Sequence, residues 1–75
     1  MSDIRVSDDA LRVLAAVYEE GACDIYTLSA QTGRGPRQVQ ACVFELDRAQ
    51  LVVVSEQGDR IECTPAGIDA ARSAE

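Results

Sequence analysis

Gly33-Arg34-Gly35-Pro36 is the stretch that most constrains this chain. Two glycines and a proline within four residues leave no room for a continuous helix or strand. The residues after it are regular. Val39, Cys42, Val43 and Leu46 recur at i, i+3, i+4 and i+7, which is one apolar face of a helix. Pro36 suits the first position of that helix, with Gly35 as its cap, and the pattern runs out near Ala49 or Gln50. The residues before it are helical too. Asp24 is an N-cap residue, Ile25, Leu28 and Thr32 mark one face, and Gly33 is a stop. The chain must therefore pass from a short helix through a tight turn into a longer one.

Two helices joined by a Gly-containing turn form a helix-turn-helix. A further helix stands before it. Ser7 caps a pattern from about Asp8 to Glu20, and Asp8 and Asp9 fall in the first turn, where the helix dipole favours negative charge. Leu11, Leu14 and Tyr18 form its stripe, widened by Val13 and Val17, so Tyr18 is expected in the core. Beyond Gln50 the period changes. Leu51 to Glu56 is β-rich, Gln57-Gly58-Asp59 is a turn signal, and Arg60 to Thr64 alternates, with Ile61 and Cys63 on one side. Thr64 then caps a last helix whose modest apolar face is Ile68 and Ala71. The expected architecture is mainly α with a small β-hairpin, in the order helix, helix, turn, helix, hairpin, helix. It fills residues 1–75 as one domain.

Composition closes off several functions. A chain of 75 residues buries only about 60% of its unfolded surface, so its core is small. No apolar run approaches a membrane span, and the N-terminus lacks the basic start and apolar stretch of a signal peptide, which makes a cytoplasmic setting the expectation. Three widely spaced cysteines and no histidine are neither a disulfide framework nor a zinc set, so Cys23, Cys42 and Cys63 read as buried thiols. There is no Walker loop, and the neighbouring Glu19 and Glu20 point to different helix faces, so neither an enzyme nor a cofactor is expected. The chain has no lysine and a net charge of -6, a balance that suits either a GC-rich genome or a salty cytoplasm.

In this order of elements the chain resembles the winged helix-turn-helix transcription regulators, and most of all the MarR-type and PadR-type groups. "LSAQTGRGPRQVQACVFEL" is similar to their short helix, Gly turn and Pro-opened recognition helix. "LDRAQLVVV" is similar to the end of that helix running into the first wing strand, and "RIECTPAGIDAA" to a wing strand followed by Thr-Pro-x-Gly and a helix. The resemblance implies a winged helix that places residues of about 36–49 in the major groove of double-stranded DNA. It also implies a homodimer. Two departures are visible. Gln50 stands where the family usually has Gly, and the long flanking dimerisation helices are absent, so a dimer must use another surface, with Ile4, Val6, Tyr18 and the last helix as candidates.

Charge by segment bears on the DNA expectation. Residues 1–24 carry two arginines and six acids, residues 25–44 carry Arg34 and Arg37 with no acid, and residues 45–75 carry three arginines and seven acids. The helix-turn-helix is thus the positive window of an acidic chain, as contact with phosphates demands. Within it, Arg37, Gln38 and Gln40 are candidates to read base edges, beside Ala41. Arg34 and Arg60 are candidates for positioning on the backbone, and Thr27, Ser29, Gln31 and Thr32 for donating to phosphates. Phe44 falls on an outer face. Packing within the chain is its first expectation, an interface its second and a thymine-methyl contact its third. If the interface prevails, the same fold serves instead as a protein-interaction module without direct DNA contact.

Overall fold

The computed structural model describes residues 6–57 and 60–73. Its elements are α1 (Asp8–Glu20), α2 (Ile25–Thr32), α3 (Pro36–Arg48), β1 (Val52–Val54), β2 (Ile61–Cys63) and α4 (Pro65–Ser73). This is the winged helix-turn-helix order expected from the sequence.

The punctuating residues act as their chemistry requires. Ser7 Oγ accepts from the N–H of Ala10 at 3.1 Å and opens α1. Asp24 Oδ1 accepts from the N–H of Thr27 at 2.7 Å and opens α2. Gly33 closes α2 in the left-handed region, at φ 71°, and its N–H donates to Ser29 O. The turn into α3 is braced further, because the Ser29 hydroxyl donates to Arg34 O and the Thr32 hydroxyl to Leu28 O. Gln50 does adopt φ 62°, a left-handed conformation in a residue with a Cβ.

The wing is a two-stranded antiparallel hairpin in which Val52 faces Cys63, Val53 faces Glu62 and Val54 faces Ile61. Its turn residues Gly58 and Asp59 lie outside the described residues, as does Ile4. One pairing has no counterpart in the sequence reading. Cys23, in the α1–α2 link, exchanges both backbone bonds with Ile61, at 3.1 and 2.7 Å. That link therefore ties the wing to the helical part and satisfies backbone groups that would otherwise stay unpaired.

Val39, Cys42, Val43 and Leu46 are buried, as the spacing of α3 predicts. They pack with Ala10, Val13, Leu14 and Val17 of α1, with Leu28, and with Leu51, Val52, Ile61 and Ala71. Three expectations are corrected. The buried stripe of α1 centres on Ala10, Val13, Leu14 and Val17, one position off the expected line, so Tyr18 is turned outward and is 37% exposed. In α4 the inward residues are Gly67 and Ala71, while Ile68 lies at the surface. Of the thiols only Cys42 is buried, and Cys23 and Cys63 are half-buried. Burial pushes all three thiols above their ordinary range, with the carboxylates of Glu20 and Asp24 adding to the effect at Cys23.

Candidate nucleic-acid interface

The outer surface of α3 divides into two strips. Arg37, Gln40, Ala41, Phe44 and Arg48 recur at i, i+3, i+4, i+7 and i+11 on one side, and all are exposed. Gln38 and Glu45, seven residues apart, share the edge that meets α1. The distinction follows from α3's inward residues. They fix its rotation, and α1 crosses it next to Cys42 rather than across the outer strip.

Carboxylates hold that crossing. The Ser7 N–H donates to Glu45 Oε2 at 2.6 Å, and the Ser7 hydroxyl donates to Oε1 at 3.1 Å. Glu45 thus lies at the N-terminus of α1, where the helix dipole favours a negative charge. In the first turn of α1, Asp9 receives Arg34 Nη2 at 2.6 Å and Gln38 Nε2 at 3.2 Å. Arg34 holds the Asp9 carboxyl below its usual range, first by hydrogen bonding and then by charge. The Arg34 side chain is 21% exposed and Asp9 46%. Arg34 Nη1 also donates to Thr32 O at 3.3 Å, while its Nε is buried with no acceptor among the described residues.

The sequence-derived candidates therefore separate. Arg37 and Gln40 stand on the exposed strip beside Ala41, as expected. Gln38 is exposed too, as expected, though its amide also donates to Asp9, whereas Arg34, expected to face outward, is only partly exposed and is held by Asp9. Thr27 is half-buried at the start of α2, and hydrogen bonds from its side chain and backbone lower the Asp24 carboxyl. The other expected phosphate donors also have partners within the chain: Ser29 and Thr32 in the turn, and Gln31 on Glu20 at 2.6 Å. Arg60 is exposed on the wing and approaches Glu62 only at 4.0 Å, a surface pair that contributes little. Arg48 extends the exposed strip by a turn and was missed in the sequence because Glu45 and Asp47 flank it.

Phe44 is not part of the core. It is 64% exposed and borders a groove of about 200 Å³ between α3, the start of α2 and the wing, lined also by Ile25, Val43, Val54 and Ile61, with Gln40 and Asp47 at its polar margin. Tyr26 and Val53 are exposed too, at 75% and 57%. A second hollow, between α1, β2 and α4, is lined by Tyr18, Gly21, Ala22, Cys63 and Ile68. No helix among the described residues is long and apolar enough to cross a membrane.

Solved structures share this fold. Bordetella bronchiseptica BpsR, described for the regulation of its DNA binding by 6-hydroxynicotinic acid, is 20% identical. It superimposes with a TM-score of 0.85 over 97% of this chain and 59% of its own. The Staphylococcus aureus MepR–DNA complex is 18% identical, with a TM-score of 0.75 over 95% of this chain and 63% of its own. The MarR family transcriptional regulator SPO1453 from Silicibacter pomeroyi DSS-3 is 24% identical, with a TM-score of 0.78 over 91% of this chain and 50% of its own. The chain thus spans between half and two thirds of the length of these three proteins. No curated protein matches in sequence. A family model described as HVO_A0114 matches residues 5–69.

Proposed function

The chain belongs to the HVO_A0114 family, and on that footing we propose that it is a small DNA-binding transcriptional regulator akin to the MarR-type and PadR-type groups. Residues 1–75 form one winged helix-turn-helix domain in this reading, and α3 enters the major groove. The observation that carries it is a coincidence of charge and exposure. The acid-free window of residues 25–44 contains all of the exposed strip except Arg48, including Arg37 and Gln40, in a chain that is otherwise acidic. Arg37 forks onto guanine and Gln40 pairs with adenine, with Ala41 against a thymine methyl. Arg60 reaches the backbone from the wing. Arg34, Gln38 and Thr27 border the same surface and contribute once they leave their internal partners. The fold shared with MepR in its DNA complex supports this reading.

The positive patch is thin, so one copy binds weakly. A homodimer that spans two half-sites supplies the missing affinity. The exposed Tyr18 of α1 and Ile68 of α4, which line one hollow, are its contact surface in this reading. Sedimentation velocity is expected to show a dimer in the concentration range of DNA binding. A monomer throughout that range overturns the dimer.

Titration of a labelled duplex at rising salt tests DNA binding itself. Arg34 and Arg60 on phosphates from each of two protomers predict a slope of log K against log salt of about -4. Failure to bind even at low salt overturns the reading. The exposed Phe44 favours a second one, a protein-interaction module that docks a partner through Phe44, Ala41 and, of the Val52–Val54 strand, the exposed Val53, since Val52 is buried.

A further inference from the structure

One carboxylate stands where a DNA binder needs none. Asp9 lies in the first turn of α1, yet its two oxygens point at the α2–α3 turn and the start of α3, one toward Arg34 at 2.6 Å and the other toward Gln38 at 3.2 Å. An oxyanion bridging a guanidinium and a side-chain amide is the arrangement that a phosphate oxygen takes on a protein surface. The surroundings fit an anion as well. α3 opens on Gly35 with no side-chain cap, and its dipole places partial positive charge at that end. Arg12, one turn along α1, adds its charge to the same carboxylate, and Arg37 sits in the first turn of α3.

Two details mark the arrangement as exchangeable. Asp9 is 46% exposed, so an incoming anion has access to its position. Arg34 is incompletely satisfied in the free chain, since its Nε is buried without an acceptor among the described residues. A guanidinium offers five donors, and a tetrahedral oxyanion with several acceptor oxygens meets more of them than one carboxylate oxygen does.

Resting on the DNA-binding reading above, we propose that Asp9 is an internal stand-in for a DNA phosphate. In the free protein its carboxylate occupies Arg34 and Gln38, and on the duplex a backbone phosphate displaces it. Asp9 therefore limits affinity, because each binding event must first break the contact with Arg34 and then bring a phosphate close to a carboxylate. It is a positioning residue that holds Arg34 in place and makes no contact with bases.

The test is a double-mutant cycle read by anisotropy of a labelled random-sequence duplex at fixed low salt. Asp9→Asn keeps the side-chain shape and removes the charge. It is expected to tighten binding about tenfold. In an Arg34→Gln background the same change is expected to tighten binding less than about twofold, because the competition it relieves is gone. Asp8→Asn, which removes a charge from the same turn, controls for general repulsion and is expected to fall below about twofold as well. Equal gains from Asp9→Asn in both backgrounds, or a gain matched by Asp8→Asn, overturn the proposal, since either marks simple charge removal. So does unchanged or weaker binding by Asp9→Asn, or a loss of helical circular dichroism in that variant, which would make Asp9 a structural residue. A wild-type chain that binds, with Asp9→Asn no tighter, sinks this proposal alone. A wild-type chain that does not bind duplex at low salt sinks the DNA-binding reading and this proposal together.

Discussion

Gly67→Ala is expected to lower the unfolding free energy by about 3 kcal/mol and the melting temperature by about 15 °C. A Cβ at Gly67 would stand 1.8 Å from Leu51 O and 2.9 Å from Leu51 C, both backbone atoms. Neither can rotate away, and Leu51 is held on both sides. Its N–H donates to Leu46 O at 2.9 Å, and its carbonyl accepts from the N–H of Thr64 at 3.0 Å. The Thr64 hydroxyl donates to Gln50 O at 2.8 Å and accepts from the N–H of Gly67 at 3.0 Å. The start of α4 is thus fastened to the end of α3 through contacts a methyl group would pry apart. Helix propensity argues the other way, since alanine in place of a helical glycine is worth about 1 kcal/mol. The clash is the larger effect. Thermal or urea unfolding decides the sign, and a Gly67→Ala protein as stable as wild type would refute the close approach of α4 to Leu51.

This glycine shows how far the sequence alone could go. The Thr-Pro-x-Gly run marks a helix start in the sequence, and the resemblance singles it out. In the sequence Gly67 reads only as a weakness in α4, and its necessity emerges only when Leu51 is seen against it. Helix boundaries were legible because local chemistry sets them: Ser7, Asp24, Gly33 and Pro36 each act within a few residues of themselves. The inward face of α3 was legible for the same reason, since its period is fixed by helix geometry. Contacts between distant segments were not. Cys23 pairs with Ile61 through a single bridge, too short to leave a periodic trace. Asp9 and Arg34 lie 25 residues apart, and a count of charge along the chain assigns them to opposite segments although their atoms meet. Tyr18 was misjudged at the margin of a stripe, where about 100° of helix rotation per residue decides between core and solvent, whereas Phe44 stands on the outer face its spacing assigns and lacks only the cover within the chain that was expected for it.

Arg37→Glu is expected to reduce duplex affinity about a hundredfold, because it removes one guanine or phosphate contact and sets a negative charge in its place. Its effect on stability should run in the opposite direction. Position 37 is in the first turn of α3, where a cation opposes the helix dipole and an anion complements it, by about 0.3–1 kcal/mol. Arg37 is exposed and has no ion pair among the described residues, so nothing in the fold depends on its charge. A melting temperature that holds or rises while binding collapses would separate loss of contact from loss of structure. Phe44→Ser in the same assay supplies the contrast. If α3 reads DNA, Phe44 lies on the strip between Arg37 and Arg48 but offers neither charge nor hydrogen-bond donor, and its loss should weaken binding only about threefold. If the chain instead docks a protein through its exposed apolar surface, the order reverses: Phe44→Ser abolishes the complex and Arg37→Glu leaves it nearly unchanged. The ranking of these two substitutions, more than the size of either effect, decides which surface of α3 meets the partner, since both variants keep the buried face that orients the helix.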